Sequence, residues 1–165
     1  MSEILVVESS PSFAHRVLDG LWIGNAPPIV SMHERAAPAR PLLVDFDTLV
    51  LCASEYQPDP GLFAIEDVIC APMDDSFTPV NRRHAGIAVR TARRVIDRLI
   101  QDKRVLVTCL AGRNRSGLVC ALALCFGPPR MSPKEAVASV RACRGPHALA
   151  NPFFVKFLEQ LNGVR

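Results

Sequence analysis

Two apolar runs that flank a short polar segment constrain the fold of this chain more than any other feature. Val105–Thr108 is apolar and β-branched, which predicts a buried parallel strand. Ser116–Phe126 has almost no polar face, which predicts a helix buried near the centre of the molecule. A buried strand that leads into a buried helix is typical of an α/β layer fold with right-handed crossovers.

The rest of the chain continues this alternation of strands and helices. Strands are predicted at Ile4–Val7, Leu21–Gly24, Leu42–Ala53 (chiefly its latter half) and Asp67–Ala71, with a turn at Asp19–Gly20. Helices are predicted at Asn81–Lys103, from Ser132 onward, and from Asn151–Pro152 to about Leu161. We therefore expect one domain over residues 1–165, with a central, mostly parallel sheet of about five strands flanked by helices.

Composition excludes several classes of protein. Hydrophobic residues make up 49% and charged residues 21% of 165 residues, which argues for a folded core and against global disorder. The net charge of +3 favours anionic ligands only slightly and is far from the dense basic surface of a typical nucleic-acid binder. The most apolar stretch, Leu118–Phe126, is about half as long as a membrane span requires.

The cysteines favour a reducing compartment. None of the six is spaced as Cys-x-x-Cys, and several lie within apolar runs, as expected of reduced, buried thiols. The short apolar run at Ile4–Val7 has no basic segment before it, so we expect no signal peptide. A cytoplasmic location is the resulting expectation.

The segment between the predicted strand and helix contains the residues for one particular chemistry. Cys109 ends the strand, Gly112 lies at the centre of the loop, and Arg115 and Ser116 open the helix. A loop that closes just before a helix points backbone N–H groups inward, and such a cradle binds a dianion. Arg115 can hold two phosphate oxygens with its planar fork, and the same positive field favours the nucleophilic thiolate form of Cys109. Ser116 can donate a hydrogen bond to that sulfur.

A phosphoryl leaving group needs a proton, so a general acid is expected elsewhere in the chain. Ala71–Phe77 follows a predicted strand and contains two adjacent carboxyl groups, Asp74 and Asp75. The carboxyl ends of parallel strands meet at one edge of a sheet, where functional loops cluster. Of the two, we choose Asp75 as the acid.

Together these residues resemble the protein tyrosine phosphatase superfamily, specifically its compact dual-specificity branch. The resemblance extends over about residues 18–160. Cys109–Ser116 matches the family pattern Cys-x5-Arg-Ser/Thr. Asp19–Gly24 is similar to the family's opening strand motif, with Trp22 at a position that is usually aromatic. Two further segments resemble the family: the acid loop at Ala71–Asp75 and the C-terminal segment at Arg141–Asn151.

The resemblance implies a mechanism without metal or organic cofactor. Cys109 would attack phosphorus and form a cysteinyl-phosphate, and Asp75 would protonate the leaving oxygen and later activate water. Arg115 and the amides of residues 110–115 would hold the phosphoryl oxygens. The implied substrate-binding residues are Leu110, Ala111, Gly112, Arg113, Asn114 and Ser116. The implied substrate is a phosphorylated protein, with phosphotyrosine first and phosphoserine or phosphothreonine as further possibilities.

Three positions modify this expectation. Thr108 stands where the family normally has a histidine that orders the loop, so we expect slower or more alkaline turnover. Arg113 adds positive charge at the mouth of the cradle, which is compatible with multiply anionic substrates, although an outward, solvated arginine explains it equally well. Leu51–Glu55 resembles the strand end of lipid-directed relatives, in which the residue corresponding to Cys52 can form a reversible disulfide with the nucleophile; a buried structural cysteine is the alternative.

Other functions stay open at this point. An RNA 5′-triphosphatase is one alternative, because the loop asparagine before Arg115 is similar to that group's loop; RNA ends would then be the nucleic-acid ligand. A phosphoinositide phosphatase of the same superfamily is another. A phosphate-binding module without turnover belongs to a different class and is supported only by Thr108. Arsenate reductase fits less well, because the opening and acid-loop motifs do not match it.

Overall fold

Among the described residues, the central sheet has five strands in the order β1-β2-β5-β3-β4. The computed structural model describes residues 14–27, 45–63, 65 and 67–161. The strands are β1 (Ala14–Leu18), β2 (Leu21–Asn25), β3 (Thr48–Ala53), β4 (Asp67–Met73) and β5 (Val105–Cys109). β1 pairs antiparallel with β2, and the other three pairings are parallel. The predicted fold class, a mostly parallel sheet flanked by helices, is confirmed.

The described residues form four α-helices, and three of them begin at a side chain that caps the helix. They are α1 (Arg82–Ile100), α2 (Arg115–Phe126), α3 (Pro133–Arg144) and α4 (Pro152–Gln160). Ser132 and Glu135 form the predicted capping box of α3, and the side chains of Asn81 and Asn151 cap α1 and α4. Within the described ranges, no helix is long and apolar enough to cross a bilayer.

One strand was not predicted. The antiparallel partner of β2 is Ala14–Leu18, whereas the strand predicted at Ile4–Val7 lies outside the described residues. β1 is an edge strand that is only partly buried, so its sequence carries little apolar alternation. The turn at Asp19–Gly20 is confirmed, and Gly20 has a φ of +80°, which glycine adopts without strain.

β5 and α2 form the centre of the molecule. β5 pairs with β2 on one side and β3 on the other, and all five of its residues are buried. α2 is buried from Arg115 to Leu124, as its apolar sequence predicts. Burial of a leucine such as Leu118 or Leu122 contributes roughly 1.5–3 kcal/mol relative to exposure. The loop between β5 and α2 is therefore anchored at both ends in the core.

Candidate active site

The loop from Leu110 to Asn114 is held by its carbonyl groups. Five consecutive carbonyls accept hydrogen bonds from groups around the loop. These are Ala26 N to Leu110 O (3.3 Å), Arg144 Nη2 to Ala111 O (3.3 Å), Arg144 Nε to Gly112 O (2.9 Å), Leu149 N to Arg113 O (3.1 Å) and Leu118 N to Asn114 O (2.8 Å). In a trans peptide the C=O and the following N–H point in opposite directions. The amides of residues 111–115 therefore face the interior of the loop, as an anion cradle requires.

Gly112 is required by the shape of this loop. Its φ is +61°, and a Cβ built on it would lie 2.4 Å from the carbonyl oxygen of Gly24 in β2. Real Cβ contacts are not that short, so any side chain here would displace the loop or β2. A glycine at this position thus lets the cradle close against the sheet.

Arg144, in the last turn of α3, supports the loop from outside. Besides the carbonyls of Ala111 and Gly112, its guanidinium donates to Asn25 Oδ1 and lies 2.7 Å from His15 Nδ1. Burial, and secondarily the charge of Arg144, lower the pKa of His15. A neutral imidazole can accept a hydrogen bond from the guanidinium. Arg144 thus connects β1, β2 and the cradle loop.

Cys109 lies at the base of the cradle. It is the last residue of β5 and is buried, with its Sγ 3.2 Å from Ser116 Oγ in the first turn of α2. The preceding Thr108 is also buried, and its hydroxyl donates to the carbonyl of Val50 in β3 at 2.8 Å. The hydroxyl of Thr108 therefore links β5 to its neighbouring strand directly before Cys109.

Arg115 is only 4% exposed, so its N–H groups need hydrogen-bond partners. Nη1 donates to Glu55 Oε2 and to the carbonyl of Met73 (3.1 Å), and Nη2 donates to Glu55 Oε1 (2.6 Å). This pairing with Arg115 holds the pKa of the Glu55 carboxyl at about 2.

The Nε donor of Arg115 differs from the two terminal nitrogens. Nε is buried without a hydrogen-bond acceptor among the described residues. A guanidinium has five N–H donors, and the Nε donor shares one edge of the plane with an Nη2 donor. That edge is available for two oxygens of a bound anion, as in a bidentate arginine–phosphate pair.

The two aspartates of the acid loop have different surroundings. Asp75 accepts hydrogen bonds from Asn114 Nδ2 in the cradle loop (2.9 Å) and from Asn151 Nδ2 before α4 (3.0 Å). Asp74 instead accepts from Ser54 Oγ (2.5 Å). Its other oxygen lies 3.6 Å from His84 Nε2, and its side chain is mostly exposed. Only Asp75 is thus attached to the cradle, which agrees with its choice as the acid.

Cys52 lies next to Cys109 across two paired strands. Leu51 in β3 is the register partner of Thr108 in β5, and Cys52 and Cys109 are the residues that follow them. Adjacent strands are about 4.8 Å apart, within the Cα separation that a disulfide tolerates. Both thiols are free, and burial, followed by the proximity of Cys109, raises the pKa of Cys52 well above its usual value.

The structure brings together the residues predicted from sequence and adds three that were missed. Ala111 and Arg113 face solvent, and with Asn25 and Arg144 they line a cavity of about 300 Å³; Leu110 is also exposed. The missed residues are Glu55, Arg144 and Asn151. A signal existed for Glu55, because it follows a predicted strand at the functional edge of the sheet.

Comparison with solved structures identifies the fold. Tk-PTP in its active form is similar at 24% identity, with 92% of this chain and 98% of that chain covered and a TM-score of 0.69. A mouse putative dual-specificity phosphatase complexed with zinc tungstate has 25% identity, coverage of 95% and 92%, and a TM-score of 0.68. Human DUSP28 has 21% identity, coverage of 91% and 95%, and a TM-score of 0.69.

The chain therefore has the fold of the dual-specificity branch of the protein tyrosine phosphatases, which confirms the resemblance seen in the sequence. No family model matches the sequence, and no curated protein matches it either. Identities of this size establish the fold, whereas activity has to be argued from the site.

The Glu55–Arg115 pair leads to a prediction about stability and pH. The folded-state pKa of Glu55 is depressed from 4.5 to about 2, so its stabilising contribution is present above pH 4.5 and is lost as the pH falls towards 2. Glu55→Gln should lower the free energy of unfolding at pH 7, and its deficit relative to wild type should shrink between pH 4.5 and 2. Urea unfolding across this range measures both.

The matched control is Glu159→Gln, at an exposed glutamate near the end of α4, which should change stability by less than about 0.5 kcal/mol. A deficit of Glu55→Gln that stays constant from pH 7 to pH 2 would contradict the pairing.

Proposed function

We propose that this protein is a cysteine-dependent phosphatase that hydrolyses phosphomonoesters, foremost phosphotyrosine in proteins, through a cysteinyl-phosphate intermediate. The observation that carries the proposal is the buried Nε donor of Arg115, which has no partner among the described residues. Arg115 and Cys109 lie at the two ends of the loop whose amides point inward. A buried, unpaired donor on a cation is costly unless a ligand accepts from it. A phosphoryl group supplies that acceptor.

In the first step, the thiolate of Cys109 attacks phosphorus in line with the leaving oxygen. An S–P bond forms as the P–O bond breaks, and the electron pair of that bond moves to the leaving oxygen, which takes a proton from the carboxyl group of Asp75. The amides of residues 111–115 and the free edge of Arg115 hold the other phosphoryl oxygens where charge is concentrated.

In the second step, water attacks the cysteinyl-phosphate. The carboxylate of Asp75 accepts a proton from that water, an O–P bond forms, and the S–P bond breaks with its electron pair returning to sulfur. The hydroxyl of Ser116, 3.2 Å from Cys109 Sγ, can donate a hydrogen bond to the departing thiolate. One water is consumed, inorganic phosphate leaves, and both Cys109 and Asp75 return to their starting protonation states.

The contacts of Asp75 favour a monoester substrate. An RNA 5′-triphosphatase usually dispenses with the aspartate acid, whereas here Asp75 is held by Asn114 and Asn151 beside the cradle. Arg113 is an exposed residue of the cradle loop and can bind a second negative charge on the substrate. That feature keeps a phosphoinositide as the second candidate substrate.

The activity prediction uses p-nitrophenyl phosphate and a panel of phosphopeptides, phosphoinositides and RNA 5′-triphosphate. Wild type should release p-nitrophenolate and prefer phosphotyrosyl peptides. Cys109→Ser should abolish turnover, and Arg115→Lys should reduce it by roughly 10²-fold or more, because lysine cannot bind two oxygens from one plane. Cys70→Ser, at an exposed cysteine of β4, is the control and should leave turnover unchanged.

Two results would overturn the proposal in different ways. Absence of phenolate release, with vanadate or phosphate still bound, would identify a binding module. Cleavage of RNA 5′-triphosphate that survives Asp75→Asn, without turnover of phosphopeptides, would identify an RNA triphosphatase.

The neighbouring thiols lead to a further prediction for the same site. Hydrogen peroxide should oxidise the thiolate of Cys109 to a sulfenic acid, releasing one hydroxide equivalent, and the thiol of Cys52 should then displace water to give a disulfide. The buried Cys120 is the control, because it lies in α2, which packs against β5. Peptide mapping should find Cys52 linked to Cys109, and dithiothreitol should restore activity.

In Cys52→Ser, peroxide should inactivate the enzyme irreversibly, whereas Cys120→Ser should recover like wild type. A Cys109–Cys120 link, or no link at all, would contradict this pairing.

A further inference from the structure

Asn151 is a fully buried polar side chain with more contacts than helix capping requires. It is 0% exposed and precedes α4, where its Oδ1 accepts from Phe153 N (3.1 Å). Its Nδ2 donates to Asp75 Oδ1 (3.0 Å) and to the carbonyl of Ser76 (3.1 Å). A cap needs only the oxygen, so the amide nitrogen is free to hold the acid loop at two points.

Asn114 completes a closed set of hydrogen bonds. Its Nδ2 donates to the other oxygen of Asp75 (2.9 Å), and its Oδ1 accepts from the backbone N–H of Asn151 (3.1 Å). Asn114 belongs to the cradle loop and directly precedes Arg115. The acid loop, the phosphate cradle and the start of α4 therefore meet in one network of three side chains.

This network restricts the Asp75 carboxyl group without using all of its acceptor capacity. Each carboxyl oxygen has two lone pairs, and each receives one amide hydrogen bond. One lone pair on each oxygen stays available for the transferred proton. Two hydrogen bonds from different elements fix both the position and the orientation of the Asp75 carboxyl group. A single hydrogen bond would let the carboxyl group rotate about that bond. Proton transfer is sensitive to this geometry, since a displacement of about 1 Å can cost roughly 10²-fold in rate.

We propose that Asn151 is a positioning residue for general-acid catalysis: with Asn114, it holds the carboxyl group of Asp75 over the phosphate cradle. The inference rests on the proposed phosphatase function and adds to it a role for the start of α4, which touches no reacting atom. Asn151 acts through Asp75 and not on phosphate binding, so its effect on the first step depends on how much the leaving group needs a proton.

The test is Asn151→Ser, because serine can still cap α4 but is too short to bridge to the acid loop. Turnover is measured on a series of aryl phosphates of one size whose phenols range from acidic to weakly acidic. For weakly acidic phenols, which need protonation, kcat/KM should fall roughly tenfold. For the most acidic phenols, kcat/KM should stay within about twofold of wild type. The comparison uses kcat/KM because kcat also includes hydrolysis of the cysteinyl-phosphate, in which Asp75 acts as base whatever the leaving group.

Two controls separate positioning from general structural damage. Asn81→Ser makes the same substitution at the cap of α1, where the side chain accepts from His84 N, and it should show no dependence on the leaving group. In the double variant Asp75→Asn with Asn151→Ser, the second change should add nothing on weakly acidic phenols, since Asn151 acts through Asp75. A uniform loss of kcat/KM across the series, or additive losses of kcat/KM in the double variant, would overturn the inference.

A measurement independent of turnover separates this inference from the proposed function. In ¹⁵N spectra, Asp75→Ala should move the side-chain amide signals of Asn114 and Asn151 and leave the Asn81 signal in place. If those signals stay in place, the network is wrong whatever the activity. If they move but no aryl phosphate is hydrolysed, the proposed function fails, and the positioning role in catalysis fails with it.

Discussion

The outward anchoring of the cradle carbonyls is the interaction on which this site depends. Five consecutive carbonyl groups, from residue 110 to residue 114, are satisfied by groups around the loop, and the intervening amides are thereby turned inward. The donors come from the residue after β2, the last turn of α3, the segment before α4 and α2 itself. A set of N–H groups that converge on one point is unfavourable unless an anion or water accepts their hydrogen bonds. The hydrogen bonds to the carbonyls hold the loop in this shape before a ligand binds, so the site is preorganised for an anion.

The charge of Arg115 is balanced in a way that leaves room for a ligand. Burying a lone guanidinium costs several kcal/mol, and Glu55 compensates by binding both terminal nitrogens. Glu55 is itself about half exposed, so it stays hydrated while it orients Arg115. The remaining edge, with Nε, is aligned by these bonds without being occupied by them. A carboxylate on one side of the guanidinium and a phosphoryl group on the other are compatible, because the planar fork has donors on both edges.

The sequence predicts local features of this structure better than contacts between distant segments. The β5–loop–α2 unit was predictable because apolar patterning, a central glycine and a following helix lie within a continuous segment. The caps at Ser132 and Asn151 were predictable for the same reason. β1 was missed because a half-exposed edge strand derives its structure from pairing with β2. The contacts of Arg144 were missed because they join segments more than 30 residues apart, and an arginine near a helix end is usually solvated.

Asn151 shows a second limit of sequence reasoning. A residue type that explains one local feature, here a helix cap, conceals any further role that needs tertiary neighbours. The carboxyl ends of β3 and β4 meet at the same sheet edge, which brings Glu55 and Asp75 to the cradle together. Proximity of this kind follows from topology, whereas individual hydrogen bonds require coordinates.

The most direct measurement is a crystal structure of the protein with bound vanadate. We expect vanadium bonded to Cys109 Sγ, with its oxygens about 3 Å from the amides of residues 111–115 and from Arg115 Nε. Vanadate that is absent from the loop, or that binds elsewhere while Arg115 Nε points away from Cys109, would contradict it.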